Sequence, residues 1–142
     1  MSAFHWSARV YWEDTDAGGV VYYANYLRFL ERARTEWLRA RGHAQTELAA
    51  DPGVLFAVAE VNIRYRRPAR LDDLLVISCQ PAPEGAATVV FAQQIRRDSA
   101  AGELLAEASV RVVCVGAGDF RPRRLPREIF GELAQDLTRE MT

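Results

Sequence analysis

The fold and the candidate site both depend on residues 10–30, which read VYWEDTDAGGVVYYANYLRFL. An alternating start is followed by an acidic loop, a glycine pair and the opening of a helical pattern. Asp16 precedes Tyr23 by seven residues, and Tyr23 is predicted to lie in the first turn of that helix. We expect this spacing to hold a carboxylate and free backbone N–H groups on two sides of one polar substrate atom.

Outside this stretch, the hydrophobic pattern predicts an α+β domain. A helical period runs from about Tyr23 to Arg41, and Gly42 is well placed to end the helix. Strands are predicted at residues 8–13, 56–67, 74–80, 88–97 and 104–115. Less regular segments predict a helical turn within 43–53, an edge strand within 120–125 and a helix from Pro126 to about Thr138.

Two apolar faces follow from these periods. The buried stripe of the long helix is predicted to contain Tyr26, Phe29, Leu30, Ala33, Trp37 and Ala40. One face of the second strand is predicted to contain Ala57, Ala59, Val61, Ile63 and Tyr65. Because the later strands follow one another through short turns, their sheet should be mostly antiparallel. We therefore expect a single domain, residues 1–142, in which a sheet of five to six strands packs on one long helix.

Composition narrows the classes of partner. Hydrophobic residues make up 49% and charged residues 26%, as is typical of a folded domain. The net charge of −1 gives no general attraction to nucleic acid or to a membrane surface. All 18 basic residues are arginine, so an anion site must use guanidinium or backbone N–H groups. No apolar run has the length of a signal peptide or a membrane span, so we expect a cytoplasmic protein without membrane insertion.

Cysteine and histidine are scarce. Cys79 and Cys114 are far apart in apolar, strand-like runs, which favours buried free thiols over a disulfide. His5 and His43 are the only histidines, and no Cys-x-x-Cys pair is present. We therefore expect no metal site.

Asp16 is the leading candidate for chemistry. Its carboxylate could attack a carbonyl carbon as a nucleophile or remove a proton from water as a general base. The alternative is that Asp14 and Asp16 only hydrogen-bond the backbone of a tight turn, and spacing alone favours that alternative. A calcium loop is excluded because the later ligand positions are apolar.

The predicted helix start is the second candidate. Val20 and Val21 supply no side-chain cap, so N–H groups there are free to polarise a carbonyl oxygen. The alternative is that Asn25 caps the helix. Tyr22 and Tyr23 precede the buried stripe and could line a pocket.

Arginines form two clusters near strand ends. The first contains Arg64, Arg66, Arg67 and Arg70, and the second contains Arg121, Arg123, Arg124 and Arg127. Guanidinium groups match phosphate geometry, so a phosphate-bearing ligand is one interpretation. Solvated strand ends are the other interpretation. Nucleic acid is not expected, because no aromatic stacking platform accompanies these arginines.

Two segments, YWEDTDAGGVVYYANYL (11–27) and ERARTEWL (31–38), resemble the hotdog-fold acyl-CoA thioesterases of the 4-hydroxybenzoyl-CoA thioesterase class. Within that class the nearest branch is the bacterial Tol–Pal-associated acyl-CoA thioesterases. The similarity continues through YRRPARLDD (65–73), VVCV (112–115) and RRLP (123–126), so it covers nearly the whole chain.

This resemblance implies a sheet wrapped around the long helix, with homodimers joined edge to edge and often paired into homotetramers. The active site would lie at the dimer interface and need no cofactor. The family's catalytic aspartate falls on Asp16, and its carbonyl-polarising backbone N–H falls on Tyr23. The Tol–Pal branch commonly has histidine at that second position, whereas the hydroxybenzoyl enzymes have tyrosine.

The implied substrate is a short aliphatic or aromatic acyl-CoA, with an acyl carrier protein as a further possible donor. Residues expected to contact this substrate are Gly19, Val20, Tyr22, Arg66 and Arg67. The main hypothesis is hydrolysis to a free acid and CoA. The alternative is a non-catalytic acyl-carrier or Tol–Pal interaction module that binds a CoA ester without turnover.

Overall fold

The computed structural model describes residues 4–131 and 133. In chain order, the elements are β1 (Phe4–Arg9), a 3-10 turn (Trp12–Asp14), α1 (Asn25–Ala40), α2 (Gln45–Ala50), β2 (Val54–Tyr65), β3 (Leu74–Pro83), β4 (Thr88–Arg97) and β5 (Leu104–Gly116). Residues 127–131 and 133 are also helical and follow Pro126, as predicted. The predicted end of that last helix, Thr138, lies outside the described residues.

The five described strands form one antiparallel sheet in the order β1-β3-β4-β5-β2. Within the described part of the chain, β1 pairs only with β3 and β2 pairs only with β5, so these two strands are the edges. The long helix α1 contacts β1 and β3. The predicted α+β arrangement is therefore confirmed, with the sheet packed on one long helix.

The apolar stripe of α1 faces the sheet largely as predicted. Tyr26, Phe29, Leu30, Ala33 and Trp37 are all buried. The prediction was wrong for the last member of the stripe, Ala40, which is exposed because it lies in the final turn.

The end of α1 matches the predicted glycine cap. Gly42 has φ +92°, in the left-handed region, and its N–H donates to the carbonyl of Arg39 at 2.8 Å. The N–H of His43 donates to the carbonyl of Leu38 at 3.1 Å, so the last carbonyls of the helix find donors.

The first strand was predicted wrongly. β1 ends at Arg9, whereas the prediction ran from residue 8 to residue 13. A carboxylate oxygen of Asp14, Oδ2, accepts the backbone N–H of Tyr11 at 2.8 Å and closes a 3-10 turn over Trp12–Asp14. This local hydrogen bond diverts the chain from a strand that its alternating pattern alone would permit.

The predicted face of β2 was partly wrong because the strand contains a β-bulge. Its register with β5 shifts between Val58 and Glu60, which leaves Ala59 as the extra residue. Before the bulge, Val58 lies opposite Val112; after it, Val61 lies opposite Val110. Val112 and Val110 lie two residues apart and are both buried, so both halves of β2 direct apolar residues to the helix side. Ala57 and Ala59, which were predicted to share the face of Val61, therefore do not.

Two further boundaries differ from the predictions. β3 continues past residue 80, its predicted end, through Pro81 and Pro83. Among the described residues, β1 pairing ends with Phe4 opposite Cys79, so Pro81 and Pro83 are seen to pair only with β4. Residues 120–125 form one isolated bridge, between Pro122 and Val115, rather than the predicted edge strand.

Candidate active site

A tight hairpin connects the 3-10 turn to α1. The N–H of Tyr22 donates to the carbonyl of Asp14 at 2.9 Å, and the N–H of Asp16 donates to the carbonyl of Val20 at 2.9 Å. The N–H of Gly19 closes the tip by donating to the carbonyl of Asp16 at 3.0 Å. Gly19 has φ +76°, which glycine adopts without steric cost. This hairpin fixes Asp16 relative to the residues that begin α1.

Asp16 is exposed and holds the tip of the hairpin with one carboxylate oxygen. Its Oδ1 accepts the N–H of Gly18 at 2.8 Å. No described residue donates to the other oxygen, Oδ2. The turn role proposed as the alternative is therefore present, and it leaves one carboxylate oxygen accessible to a ligand.

The start of α1 lies two residues later than predicted. The helix begins at Asn25, so Tyr23 lies in the turn before the helix rather than in its first turn. The N–H of Asn25 donates to the carbonyl of Tyr22 at 2.8 Å and closes that turn. Among the hydrogen bonds of the described residues, none uses the N–H of Tyr23. The donor is available, although its position differs from the prediction.

Asn25 does not cap the helix, so that alternative was wrong. The cap position is occupied by Ala24, which makes no side-chain hydrogen bond to the helix. Asn25 is buried, and its Nδ2 donates to the carbonyl of Asp14 at 2.9 Å. The same carbonyl accepts the N–H of Tyr22. Asp14 and Asn25 thus tie the hairpin to the first turn of α1.

Sequence reasoning missed a link between β2 and the helix start. The hydroxyl of Tyr65 donates to the carbonyl of Tyr23 at 3.0 Å. Burial raises the pKa of Tyr65, so the hydroxyl keeps its proton and remains a donor. The ring of Tyr65 packs edge-on against Tyr26 at 5.1 Å between centroids. The only signal in the sequence was an aromatic residue at the end of a strand.

Three of the residues predicted to contact substrate, Gly19, Val20 and Tyr22, belong to this hairpin. Tyr22 and Tyr23 are exposed, and their ring centroids are 4.9 Å apart. Val20 forms an antiparallel bridge with Arg70, and the N–H of Val21 donates to the carbonyl of Ala69 at 2.8 Å. The hairpin therefore runs alongside the segment that carries the first arginine cluster.

Two arginines of the first cluster are ion-paired at the surface. Nη2 of Arg66 lies 2.6 Å from Oε1 of Glu107, and Nε of Arg67 lies 3.6 Å from Oε1 of Glu103. The guanidinium of Arg66 lowers the pKa of Glu107. These exposed pairs are weak enough for a phosphate to compete with the carboxylates.

The second arginine cluster lies at the far end of β5. Its segment bridges β5 at Val115, whereas the N–H groups of Arg66 and Arg67 donate to the carbonyl of Leu105. Ten residues of strand separate Val115 from Leu105, which corresponds to about 33 Å. Within one chain, the two clusters therefore do not converge on one ligand.

The remaining sequence expectations concern metals, membranes and thiols. Within residues 4–131 and 133, no group of three or more metal-binding side chains occurs. No helix in that part of the chain has the length and apolarity needed to cross a membrane. Cys79 and Cys114 are buried free thiols, as predicted, and burial raises the pKa of Cys79 to about 12.

Comparison with known proteins identifies the family. Residues 18–104 match the thioesterase superfamily model. The acyl-CoA thioester hydrolase YbgC of Escherichia coli O6:H1 is 47% identical over 132 residues, covering 93% of this chain and 96% of that protein. The acyl-CoA thioesterase YbgC of Haemophilus influenzae is 41% identical over 128 residues, covering 90% of this chain and 92% of that protein.

A solved structure supports the same assignment. A probable thioesterase from Bartonella henselae superimposes with a TM-score of 0.82 at 37% identity, covering 88% of this chain and 100% of that chain. The names of the relatives describe enzymes, so they do not favour the non-catalytic binding module. Because the family model and these relatives both match most of its length, the chain belongs to the thioesterase superfamily and has its hotdog fold.

Proposed function

We propose that this protein hydrolyses acyl-CoA thioesters to a free acid and CoA. The observation that carries the proposal is the hydrogen-bonded hairpin that contains Asp16. It fixes this carboxylate seven residues before Tyr23, whose N–H no described residue uses. Relatives at 47% and 41% identity bear names with the same activity. A carboxylate can act as the nucleophile or general base in thioester hydrolysis, and a backbone N–H can polarise the carbonyl.

The N–H of Tyr23 would polarise the thioester carbonyl. Negative charge develops on that oxygen as the carbonyl carbon becomes tetrahedral, and a fixed donor stabilises this charge. The start of α1 adds the positive end of the helix dipole at the same point. Because the donor is a backbone group, this role does not require the histidine that the resembling branch commonly has at the position of Tyr23.

Asp16 would act either as a nucleophile or as a general base. As a nucleophile, its carboxylate oxygen bonds to the carbonyl carbon, the C–S bond breaks, CoA leaves as the thiol after protonation, and water then cleaves the anhydride. As a general base, it takes a proton from water while the water oxygen bonds to the same carbon and CoA leaves. In both routes Oδ1 stays bonded to Gly18 while Oδ2 is available.

Arg66 and Arg67 would bind the CoA phosphates. Their ion pairs with Glu107 and Glu103 lie at the surface, so exchange of a carboxylate for a phosphate costs little. Gly19, Val20 and Tyr22 would line the path between these arginines and the thioester. Val20 already pairs with Arg70 across that path.

A second copy of the chain would complete the site. β2 is a 12-residue edge strand with exposed Val58, Val61 and Tyr65, and such an edge favours pairing with another strand. Asp16 and Tyr23 are exposed on the surface of one chain, where water has free access. We expect an edge-to-edge homodimer, alone or within a homotetramer, to cover them and exclude water.

We expect the protein to act in the cytoplasm. Cys79 and Cys114 are buried free thiols, which persist in a reducing compartment. An acyl carrier protein could deliver the same thioester, because its acyl group would present an identical carbonyl.

The test is a panel of acyl-CoA thioesters, from short aliphatic to aromatic and long-chain, with released CoA detected as a thiol. The purified protein should release thiol from at least one member at a rate proportional to enzyme concentration. Binding of CoA esters without thiol release across the panel would contradict the proposal and leave the binding module as the explanation.

A further inference from the structure

A cavity separates the middle of α1 from the sheet. Its volume is about 120 Å³. Its apolar walls come from both sides of the core, namely Trp37, Leu38, Phe56, Val58, Phe91, Val112 and Phe130. Its polar rim contains Glu31, Thr35 and Gln45, which are joined by hydrogen bonds of 3.1 and 3.0 Å through the Thr35 hydroxyl.

Arg34 lines this cavity and makes no direct ion pair with a described residue, although the negative charge of Glu31, on the same rim, acts on it from beyond 4.0 Å. Its Nη1 donates to Oε1 of Gln93 at 3.0 Å, and no described carboxylate lies within 4.0 Å of its guanidinium. Gln93 is itself 1% exposed, and its Nε2 donates to the carbonyl of Leu30 at 3.1 Å. A guanidinium carries five N–H donors, and the described residues use one of them.

A partly buried guanidinium that makes no direct ion pair costs the fold free energy. Burial lowers the pKa of Arg34, and the negative charge of Glu31 opposes this effect. Guanidinium groups in such surroundings are normally paired with a carboxylate or a phosphate. Here the amide of Gln93 occupies one side of the guanidinium, and the cavity with Glu31 at its rim occupies another, so a ligand carboxylate would reach the unused donors of Arg34 from the cavity.

We infer that this cavity receives the distal end of the acyl group and that Arg34 binds a carboxylate there. The substrate would then be the CoA monothioester of a short dicarboxylic acid. This inference rests on the proposed hydrolysis of acyl-CoA and names its substrate class.

The cavity lies too far from Tyr23 of the same chain for one short acyl group to reach both. Nine residues of α1 separate Asn25 from Arg34, which is about 14 Å of helical rise, and Tyr23 lies two residues before Asn25. A short acyl group cannot span that distance, so the two groups must come from different copies of the chain.

Pairing along β2 brings the two groups together. The exposed apolar residues of β2 extend from Val58 to Tyr65, and a two-fold axis at their midpoint would place Val58 opposite Tyr65 of the second copy. Val58 is a wall of the cavity, and Tyr65 holds the carbonyl of Tyr23 at 3.0 Å. Each cavity would then open beside the Tyr23 N–H of the other copy.

Size and charge limit the acyl group. A cavity of about 150 Å³ holds a benzene molecule, so a volume near 120 Å³ suits about four to six carbon atoms. Glu31 at the rim carries the opposite charge to Arg34 and would repel a carboxylate. Removing the charge of Glu31 should therefore act in the opposite direction to removing the charge of Arg34.

The test compares glutaryl-CoA with pentanoyl-CoA, which have acyl groups of equal chain length with and without the terminal carboxylate. The wild-type protein should have the higher kcat/KM with glutaryl-CoA. Arg34→Gln should lower the ratio of the two kcat/KM values by about tenfold or more, because a hydrogen bond to a charged group is lost. Glu31→Gln should raise the same ratio.

Arg39→Gln is the matched control. Arg39 lies on the same helix, pairs with Glu36 at the surface and has a side chain that is 58% exposed. Its substitution should leave the ratio unchanged.

A ratio that Arg34→Gln leaves within twofold of wild type would overturn the inference, as would a wild-type preference for pentanoyl-CoA. Should Arg34→Gln fail to fold, an unchanged or lower ratio in Glu31→Gln would overturn it. Absence of hydrolysis with every thioester would instead overturn the proposed function itself.

Discussion

Tyr65, at the end of the edge strand β2, donates its hydroxyl hydrogen to the backbone carbonyl of Tyr23 at 3.0 Å. The bond joins residues 42 positions apart in the chain and attaches the turn before α1 to the sheet. Asp14 and Asn25 attach the same turn from the side of the hairpin at 2.9 Å. The unused N–H of Tyr23 is therefore held between two anchors, as a preorganised donor requires.

Tyr65→Phe tests the anchor on the β2 side. Loss of the hydroxyl removes a single hydrogen bond and should change the free energy of unfolding by only about 1 kcal/mol. Catalysis should suffer more than stability, because a looser donor stabilises the transition state less well. We expect kcat to fall about 3- to 10-fold, measured by thiol release beside a urea unfolding curve. Wild-type kcat in a folded Tyr65→Phe protein would contradict the role assigned to this bond.

Gly19 tests the geometry of the hairpin tip. Its φ of +76° is costly for alanine, although no atom lies within 4 Å of the position that a Cβ would occupy. Gly19→Ala should therefore destabilise the fold by about 1 kcal/mol and lower activity through backbone strain rather than through a clash. Gly19→Asn is the matched variant, because asparagine tolerates the left-handed region better than alanine does. Equal losses in the two variants would show that φ is not the cause.

Val61 tests the pairing of two copies along β2. Lysine on an exposed edge strand opposes strand addition, so Val61→Lys should shift the protein toward monomer in light scattering coupled to size exclusion. Activity should fall with the dimer, because the site would lose its second copy. Leu71→Lys is the control, since Leu71 is 42% exposed and lies outside β2. A dimer that persists in Val61→Lys, or a fully active monomer, would contradict edge-to-edge assembly.

Cys79 should lower the free energy of unfolding at alkaline pH. Burial raises the pKa of its thiol from an ordinary value of 9.0 to about 12. The folded state therefore keeps the proton that the unfolded state loses, and stability falls as pH rises through this interval, by about 1.4 kcal/mol per pH unit. Urea unfolding from pH 9 to pH 12 should show this slope in the wild type and a shallower slope in Cys79→Ala. Identical slopes would mean that Cys79 ionises equally in both states.

The sequence predicted the fold where one periodicity runs without interruption. The bounds of α1 were predicted to within two residues and those of β4 correctly, because their apolar positions recur at a single period over their length. β2 was mispredicted at Ala59 because it contains a β-bulge. The position of the bulge depends on how β2 pairs with β5, which the sequence of β2 alone does not contain. β1 was mispredicted because one carboxylate, from Asp14, closes a turn that the alternating pattern does not contain.

The candidate site was predictable only in its local parts. Asp16 and the glycine tip lie within a few residues of one another, so spacing and turn chemistry predict them. Asn25 was assigned to the nearest helix end, whereas its side chain bonds 11 residues back to Asp14. Tyr65 is 42 residues from Tyr23, and no local pattern could connect them. Contacts of that range depend on the complete fold.

Asp16→Asn tests most directly whether the Asp16 carboxylate acts in acyl-CoA hydrolysis. The amide cannot act as a nucleophile or as a general base at this position, yet it retains an oxygen that can accept the N–H of Gly18. Glu13→Gln is the matched control, because Glu13 is exposed in the same segment and undergoes the same change of carboxylate to amide. We expect Asp16→Asn to fold with wild-type unfolding behaviour and to lose acyl-CoA hydrolysis by about 100-fold or more, whereas Glu13→Gln keeps it. Near wild-type turnover in a folded Asp16→Asn protein would contradict the role of Asp16 as nucleophile or general base.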